Sequence, residues 1–250
     1  MMKLLGLEAY KLRRKRILLM LLLFMGAELA WMFLSMSIYM ARHGDSAPWE
    51  NLLVLAASLN GLFMPILCAV VVSRLCDMEH KGNTWSLLAA ASVKSSSLYL
   101  AKFICANLLL LLYTVLQAAA LAVFGIVNRL DGPPPVALLA ALVGGTTLTQ
   151  LAVTAAQLWL STRLPNQSFA LCLGMLGGFA GMTAGFFPAA IRRILPWAYY
   201  TELSPIKTVY DSGSVIYELQ TAGVALPAVV LLMAIIIYLA GSRHASRQEY

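Results

Sequence analysis

Charge is what this chain has least of. Of its 250 residues only 12% are Asp, Glu, Lys or Arg, while 60% are hydrophobic. An ordinary soluble domain carries about 25% charged residues. So little charge cannot coat a globule of this length in water, and the mean hydropathy is +0.78. The composition describes an integral membrane protein whose connections leave no room for a soluble catalytic domain. Catalytic signatures are missing as well. No G-x-x-x-x-G-K-[ST] stretch occurs, which excludes a P-loop that cradles ATP phosphates. No H-E-x-x-H occurs, and the three histidines, His43, His80 and His244, are scattered. No Ser/His/Asp set suggests itself. The expectation is a chain that is not an enzyme and holds neither cofactor nor metal. The four cysteines, Cys68, Cys76, Cys105 and Cys172, form no C-x-x-C pair and read as buried thiols. No cleavable signal peptide is expected, because the first apolar run is too long for a signal core and lacks a small-residue cleavage site. The net charge of +7 reflects basic residues flanking spans and needs no nucleic-acid partner.

What is abundant is long apolar sequence. A spanning helix needs about 20 mostly apolar residues, and six stretches qualify: Ile17 to Met40, Leu52 to Ser73, Leu98 to Val127, Val136 to Leu160, Phe169 to Phe187 and Val224 to Ala240. The expected fold class is therefore all-α, a polytopic membrane protein with six transmembrane helices in a single domain over residues 1–250. With the N-terminus inside, thirteen of the 18 Lys and Arg residues fall on the cytoplasmic side. Lys94, Lys102 and the run from Lys11 to Arg16 are among them. The bias places both termini in the cytoplasm of a bacterial plasma-membrane protein.

Two further segments are more than loops. In residues 1–16, Leu4, Leu5, Leu7 and Leu12 recur at roughly helical spacing beside Lys3, Glu8 and Lys11. This fits an interfacial helix whose basic side chains reach lipid phosphates; a basic anchor that only sets topology is the plainer alternative. Residues 188–222 are too apolar for a free loop and hold Trp197, Tyr199 and Tyr200. They are expected to form one or two short helices dipping into the outer leaflet, broken by Pro188, Pro196 and Pro205.

Inside the spans a few residues stand out. Glu28 lies halfway along the first, where an ionisable group must face protein, water or a partner. A pathway or interface position is expected, with Gln117, Gln150 or Gln157 as possible polar partners. Thr147, Gln150, Thr154 and Gln157 share one face of the fourth span, which should avoid lipid and hydrogen-bond between helices. In the fifth, Gly174 and Gly178 are four apart, as are Gly177, Gly181 and Gly185. That spacing lets helices approach closely. It serves either a dimer seam or moving contact, or packing inside one subunit.

The most informative stretch is the polar connection over residues 77–97. It contains Glu79-His-Lys-Gly-Asn-Thr-Trp-Ser-Leu-Leu and is followed by Leu98-Tyr-Leu-Ala-Lys102. This sequence resembles the cytoplasmic segment of ABC-2-type exporter permeases. The matching positions are Glu79, Gly82, Asn83, Thr84, Trp85, Leu87, Leu88, Tyr99 and Lys102. The Pro-x-x-Arg step of that family is replaced by Ser92-Val-Lys-Ser95, with Lys94 keeping the basic charge. The N-terminal segment with Glu8 and Lys11, the six spans and the Pro196-Trp197 dip are similar to that family too. Among its members, the small permeases of lantibiotic-immunity and peptide-antibiotic exporters are most alike. The resemblance implies that Glu79, Gly82, Asn83, Thr84, Trp85, Leu87 and Leu88 form a coupling helix seated in a groove of a separate ATPase subunit. That partner would bind ATP and Mg. A second permease subunit, identical or homologous, and membrane lipids complete the implied set. The alternatives are a secondary transporter, which should show an internal repeat and paired intramembrane charges, and a polytopic sensory or structural protein without transport.

Overall fold

The computed structural model describes residues 4, 6–8, 10, 16–43, 47–82, 94–164, 166–211, 214–220 and 223–247. Four long apolar helices come first: α1 (Ile17–His43), α2 (Trp49–Gly82), α3 (Ser95–Val127) and α4 (Val136–Arg163). A shorter helix, α5 (Gln167–Met182), follows. The chain then makes two single-turn helices, α6 (Ala189–Arg192) and α7 (Tyr199–Glu202), flanked by 3-10 turns at Ala184–Phe186 and Pro196–Ala198. A β-hairpin of β1 (Ile206–Asp211) and β2 (Ser214–Leu219) leads into the last long helix, α8 (Ala225–Arg247).

Of the described helices, α1, α2, α3, α4 and α8 are long and apolar enough to cross a bilayer. Where the fifth span, Phe169 to Phe187, is expected, the chain forms a shorter apolar helix, α5, of 16 residues ending at Met182, followed by the 3-10 turn at Ala184–Phe186. The outer faces are apolar, with Leu18, Leu22, Leu23 and Leu34 of α1 and Leu232 and Ile236 of α8 exposed. Continuous apolar surface of this extent needs lipid to cover it. Together with the spans it makes this a multi-pass membrane protein.

The centre of the bundle is α2. About 67% of its most apolar window is buried, against 22% for α1 and 17% for α8. The other helices pack around it. Residues 128–135 turn the chain from α3 to α4 beside the start of α2: the Trp49 ring lies on Gly125, where any Cβ would collide with it. Its Nε1 donates to the Gly132 carbonyl at 3.3 Å. The opposite end carries the termini of α2 and α4 and the starts of α3 and α5. There Gln167 donates to the carbonyls of Ser161 (2.9 Å) and Leu164 (2.8 Å), which satisfies acceptors left open by the end of α4. Asn166 caps α5 by accepting from the Ser168 N–H. The start of α1 and the last turns of α8 lie at this end too: Ile17 and Ala245 share one core cluster, and Gly241 abuts Tyr99.

The expectation of short helices for residues 188–222 holds only as far as Glu202. Beyond it the strands pair antiparallel, with Ile206 opposite Leu219 and Lys207 opposite Glu218. Ile206 is buried and joins the core of Trp49, Leu52 and Leu53. The first strand of the hairpin thus packs against that end of the bundle. The short connection to be expected between α2 and α3 also narrows: α2 continues as helix through Gly82 and α3 begins at Ser95. The first six residues of the 77–97 stretch therefore extend α2.

Candidate functional site

Lys102 lies about two turns into α3 and is 0% exposed. Its Nζ stands 3.3 Å from Oε2 of Glu8, and both side chains are 1% exposed. The same ammonium donates to the Leu75 carbonyl of α2 at 2.6 Å. One side chain therefore ties together the N-terminal segment, α2 and α3, on either side of residues 83–94. The described residues around Glu8 (Leu4, Gly6, Leu7 and Tyr10) are helical. Burying two opposite charges costs about as much as their attraction returns, so such a pair stabilises little on balance but fixes geometry strongly. Counted in the sequence with the cytoplasmic-side charges at the start of the third span, Lys102 is found buried and paired. The signal was available: a lysine between Leu100, Ala101, Phe103 and Ile104 needs an internal partner.

Midway along the bundle a second polar chain crosses four helices. Glu28 of α1 is 0% exposed and accepts a 2.5 Å bond from the Tyr113 hydroxyl of α3. Gln117, one turn further along α3, donates to Asn60 of α2 at 2.8 Å, and Asn60 donates to Thr146 of α4 at 3.3 Å. Glu28 thus faces protein and not lipid. Tyr113, its hydrogen-bond donor, was not singled out in the sequence, because a tyrosine in an apolar run reads as packing. Tyr113→Phe is expected to destabilise the chain by about 1–3 kcal/mol, the cost of stranding a buried acceptor. Thermal unfolding in detergent checks this; an unchanged midpoint would mean that the bond carries no weight.

The polar face of α4 turns inward. Gln150 accepts from the Tyr200 hydroxyl of α7 at 2.6 Å and donates to Thr154 at 2.9 Å. Thr154 meets the Cys68 thiol of α2 at 3.5 Å, and Gln157 donates to the Ala170 carbonyl of α5 at 2.7 Å. The face links α4 to three elements by interhelical hydrogen bonds.

The glycines of α5 lie against α2 and the turn at Trp197. A Cβ on Gly178 would stand 2.5 Å from the Leu62 carbonyl oxygen; one on Gly181 would overlap the Gly61 carbonyl oxygen, and one on Gly174 the Ala69 methyl. Gly177 is pressed by the Trp197 indole. The close approach is therefore met within this chain. Gly185 does not belong to it: it lies in the 3-10 turn beyond α5, exposed, with nothing near its Cβ position. Pro65 adds a feature to this seam. It sits inside α2 and has no N–H for the carbonyl four residues back, which is that of Gly61.

Of the residues matched to a coupling helix, Glu79 and Gly82 fall in the last turns of α2. Asn83, Thr84, Trp85, Leu87 and Leu88 lie outside the described residues, as does the side chain of Glu79. Tyr99 is buried in α3, its ring 5.6 Å from that of Tyr238 on α8. Among the described residues no three His, Cys, Asp or Glu side chains gather where a metal ion could be held.

A family model described as "ABC-2 family transporter protein" matches residues 4–181. That range takes in the N-terminal segment, α1 to α4, nearly all of α5 and residues 77–97. A search of curated proteins finds no match.

Proposed function

The chain belongs to the ABC-2 family of transporter proteins and is a permease component of an ABC transporter; from that membership we propose that it serves an exporter driven by ATP hydrolysed in a separate subunit. The observation that carries this reading is that the family match spans residues 77–97 together with the helices on both sides. The proposed coupling segment is residues 79–88, whose first four residues continue α2, with Trp85, Leu87 and Leu88 as the apolar anchors for a groove of the ATPase and Glu79 at its rim. The end of the bundle bearing Lys102 faces the cytoplasm and the hairpin faces outward. Arg16, Arg74, Lys94, Arg163, Arg243 and Arg247 lie at the first end, which agrees with positive charge kept inside. The membrane is the bacterial plasma membrane.

Closure of the ATPase pair pushes on residues 83–94. The Glu8–Lys102–Leu75 contact makes α2, α3 and the N-terminal segment respond as one body. The glycine-lined face of α5 against α2 then offers the surface on which that body shifts between two global states. A second permease subunit, identical or homologous, completes the path. The substrate is a peptide antibiotic of lantibiotic type or another amphiphile leaving the membrane or the cell.

Affinity purification of the chain from its native membrane, with ATPase activity assayed, tests the reading. A stoichiometric ATPase is expected to co-purify. Trp85→Ala is expected to lower its recovery about tenfold, the loss of one buried aromatic anchor, and Glu79→Ala less. A stable, folded chain that brings down no ATPase would overturn the proposal.

A further inference from the structure

At the hairpin end a cleft of about 430 Å³ opens between the start of α2, the end of α5 and strand β1. This is within the size range of small-molecule sites. One wall is apolar, formed by Val54, Ala57, Met182, Phe186 and Ile206. The other carries three charges. Glu202 accepts from Arg192 Nη1 at 2.7 Å and stands 3.6 Å from Lys207 Nζ. Two cations thus share one carboxylate, and the group keeps a net positive charge. Arg192 is held tightly; Lys207 is held loosely and its side chain is 42% exposed. Glu218, opposite Lys207 across the hairpin, is exposed and does not line the cleft. Ser58, Thr201 and Thr208 add hydroxyls to the lining, those of Ser58 and Thr201 donating to the Val54 and Ala198 carbonyls. A positive group beside low-dielectric walls concentrates anions, and Phe186, 89% exposed, extends the apolar wall outward.

We propose that this cleft is a binding site for an amphiphile with a single anionic headgroup, phosphate or carboxylate. The head pairs with Lys207 and the outer edge of Arg192, and the tail runs along Val54, Met182 and Phe186. As a site on the export path it rests on the transport reading above. As a binding site it is measurable on this chain alone, so the two can fail separately.

The experiment is native mass spectrometry of the purified chain in neutral detergent, titrated with dodecyl phosphate. Inorganic phosphate, dodecylphosphocholine and dodecyltrimethylammonium run as comparison probes. Dodecyl phosphate is expected to bind saturably and more tightly than any of the three. Lys207→Gln should weaken it about tenfold, the loss of one charge-assisted contact. Glu202→Gln should tighten it by removing the competing carboxylate. Phe186→Ser, at a surface position that folding does not depend on, should weaken dodecyl phosphate while leaving inorganic phosphate unchanged. The proposal is overturned if inorganic phosphate binds as well as dodecyl phosphate, if the ammonium amphiphile binds best, or if Lys207→Gln and Phe186→Ser both leave binding unchanged. Should Lys207→Gln fail to fold, the Phe186→Ser comparison decides alone.

Discussion

Replacing Lys102 with methionine is expected to destabilise the chain by about 3–5 kcal/mol, the usual cost of leaving one partner of a buried ion pair behind. Glu8 would keep a carboxylate with 1% of its side chain exposed, and the Leu75 carbonyl would lose its 2.6 Å donor. Methionine fills much of the lysine volume, so the loss measures charge and hydrogen bonding more than a cavity. Glu8→Gln should cost less, because the amide still offers an oxygen to the ammonium. The double replacement Glu8→Leu with Lys102→Met is expected to recover most of the stability, since an apolar pair of similar volume replaces a buried ion pair at little net cost. Thermal unfolding in detergent, arranged as a double-mutant cycle, reads all three. High salt should leave the coupling energy nearly unchanged, because a buried pair is poorly screened. If Lys102→Met unfolds like the parent chain, the pair is not a structural tie. The double variant also separates two roles. Restored stability with ATPase stimulation still lost would make the ion pair part of force transmission.

The second large effect is expected at the α2–α5 seam. Gly181→Ala places a methyl on the Gly61 carbonyl oxygen, and Gly178→Leu drives a side chain into the Leu62 carbonyl. A backbone oxygen cannot rotate aside as a side chain can. Alanine in place of glycine favours a helix by about 1 kcal/mol, yet Gly181→Ala should lose about 3 kcal/mol net, the upper range for overpacking. Gly178→Leu should lose more, because α5 must separate from α2 along its length. Gly185→Ala, in the 3-10 turn with nothing within 4 Å of the added methyl, is the control and should leave the unfolding midpoint unchanged, while Gly26→Ala, equally free of neighbours but inside α1, should raise it by the helix preference of alanine. Equal midpoints for Gly181→Ala and Gly185→Ala would show that the seam is looser than its contacts suggest.

The long helices were legible because hydropathy over 20 residues is a strong signal. The run expected from Val136 to Leu160 became α4, ending three residues later at Arg163. The inward polar face of α4 was legible as well, since Thr147, Gln150, Thr154 and Gln157 recur at helical spacing; the last three make the hydrogen bonds, and the Thr147 hydroxyl makes none among the described residues. What composition could not supply was pairing. Glu8 finds Lys102 across 94 positions, and Tyr113 finds Glu28 across 85; such partners are chosen by helix packing. The hairpin was missed for another reason. Lys207-Thr-Val-Tyr-Asp-Ser-Gly-Ser-Val-Ile-Tyr217 carries β-branched and aromatic residues around a Ser-Gly turn, a strand signature. Six-residue strands lie close to the resolution of any such pattern, and the apolar sequence before them favoured helix. The glycine spacing disclosed a close approach but not its partner, which the fold supplies in α2.

The lengths of α2 and α3, 34 and 33 residues, have a mechanical meaning. At 1.5 Å per residue each measures about 50 Å, whereas the hydrocarbon core of a bilayer is about 30 Å thick. Each is therefore longer than the hydrocarbon core is thick, which leaves room for tilt and for polar ends. The polar ends Asp77–Gly82 and Ser95–Ser97 lie beside the linker that joins the two helices. Just inside these ends Lys102 of α3 holds the Leu75 carbonyl of α2, so the two helices are tied together next to the linker. In the proposed transporter, a push from the ATPase would act on these joined helix ends, with the Lys102 tie as the fulcrum. On the coupling reading proposed above, a small displacement at these ends would become a tilt of α2 and α3 together.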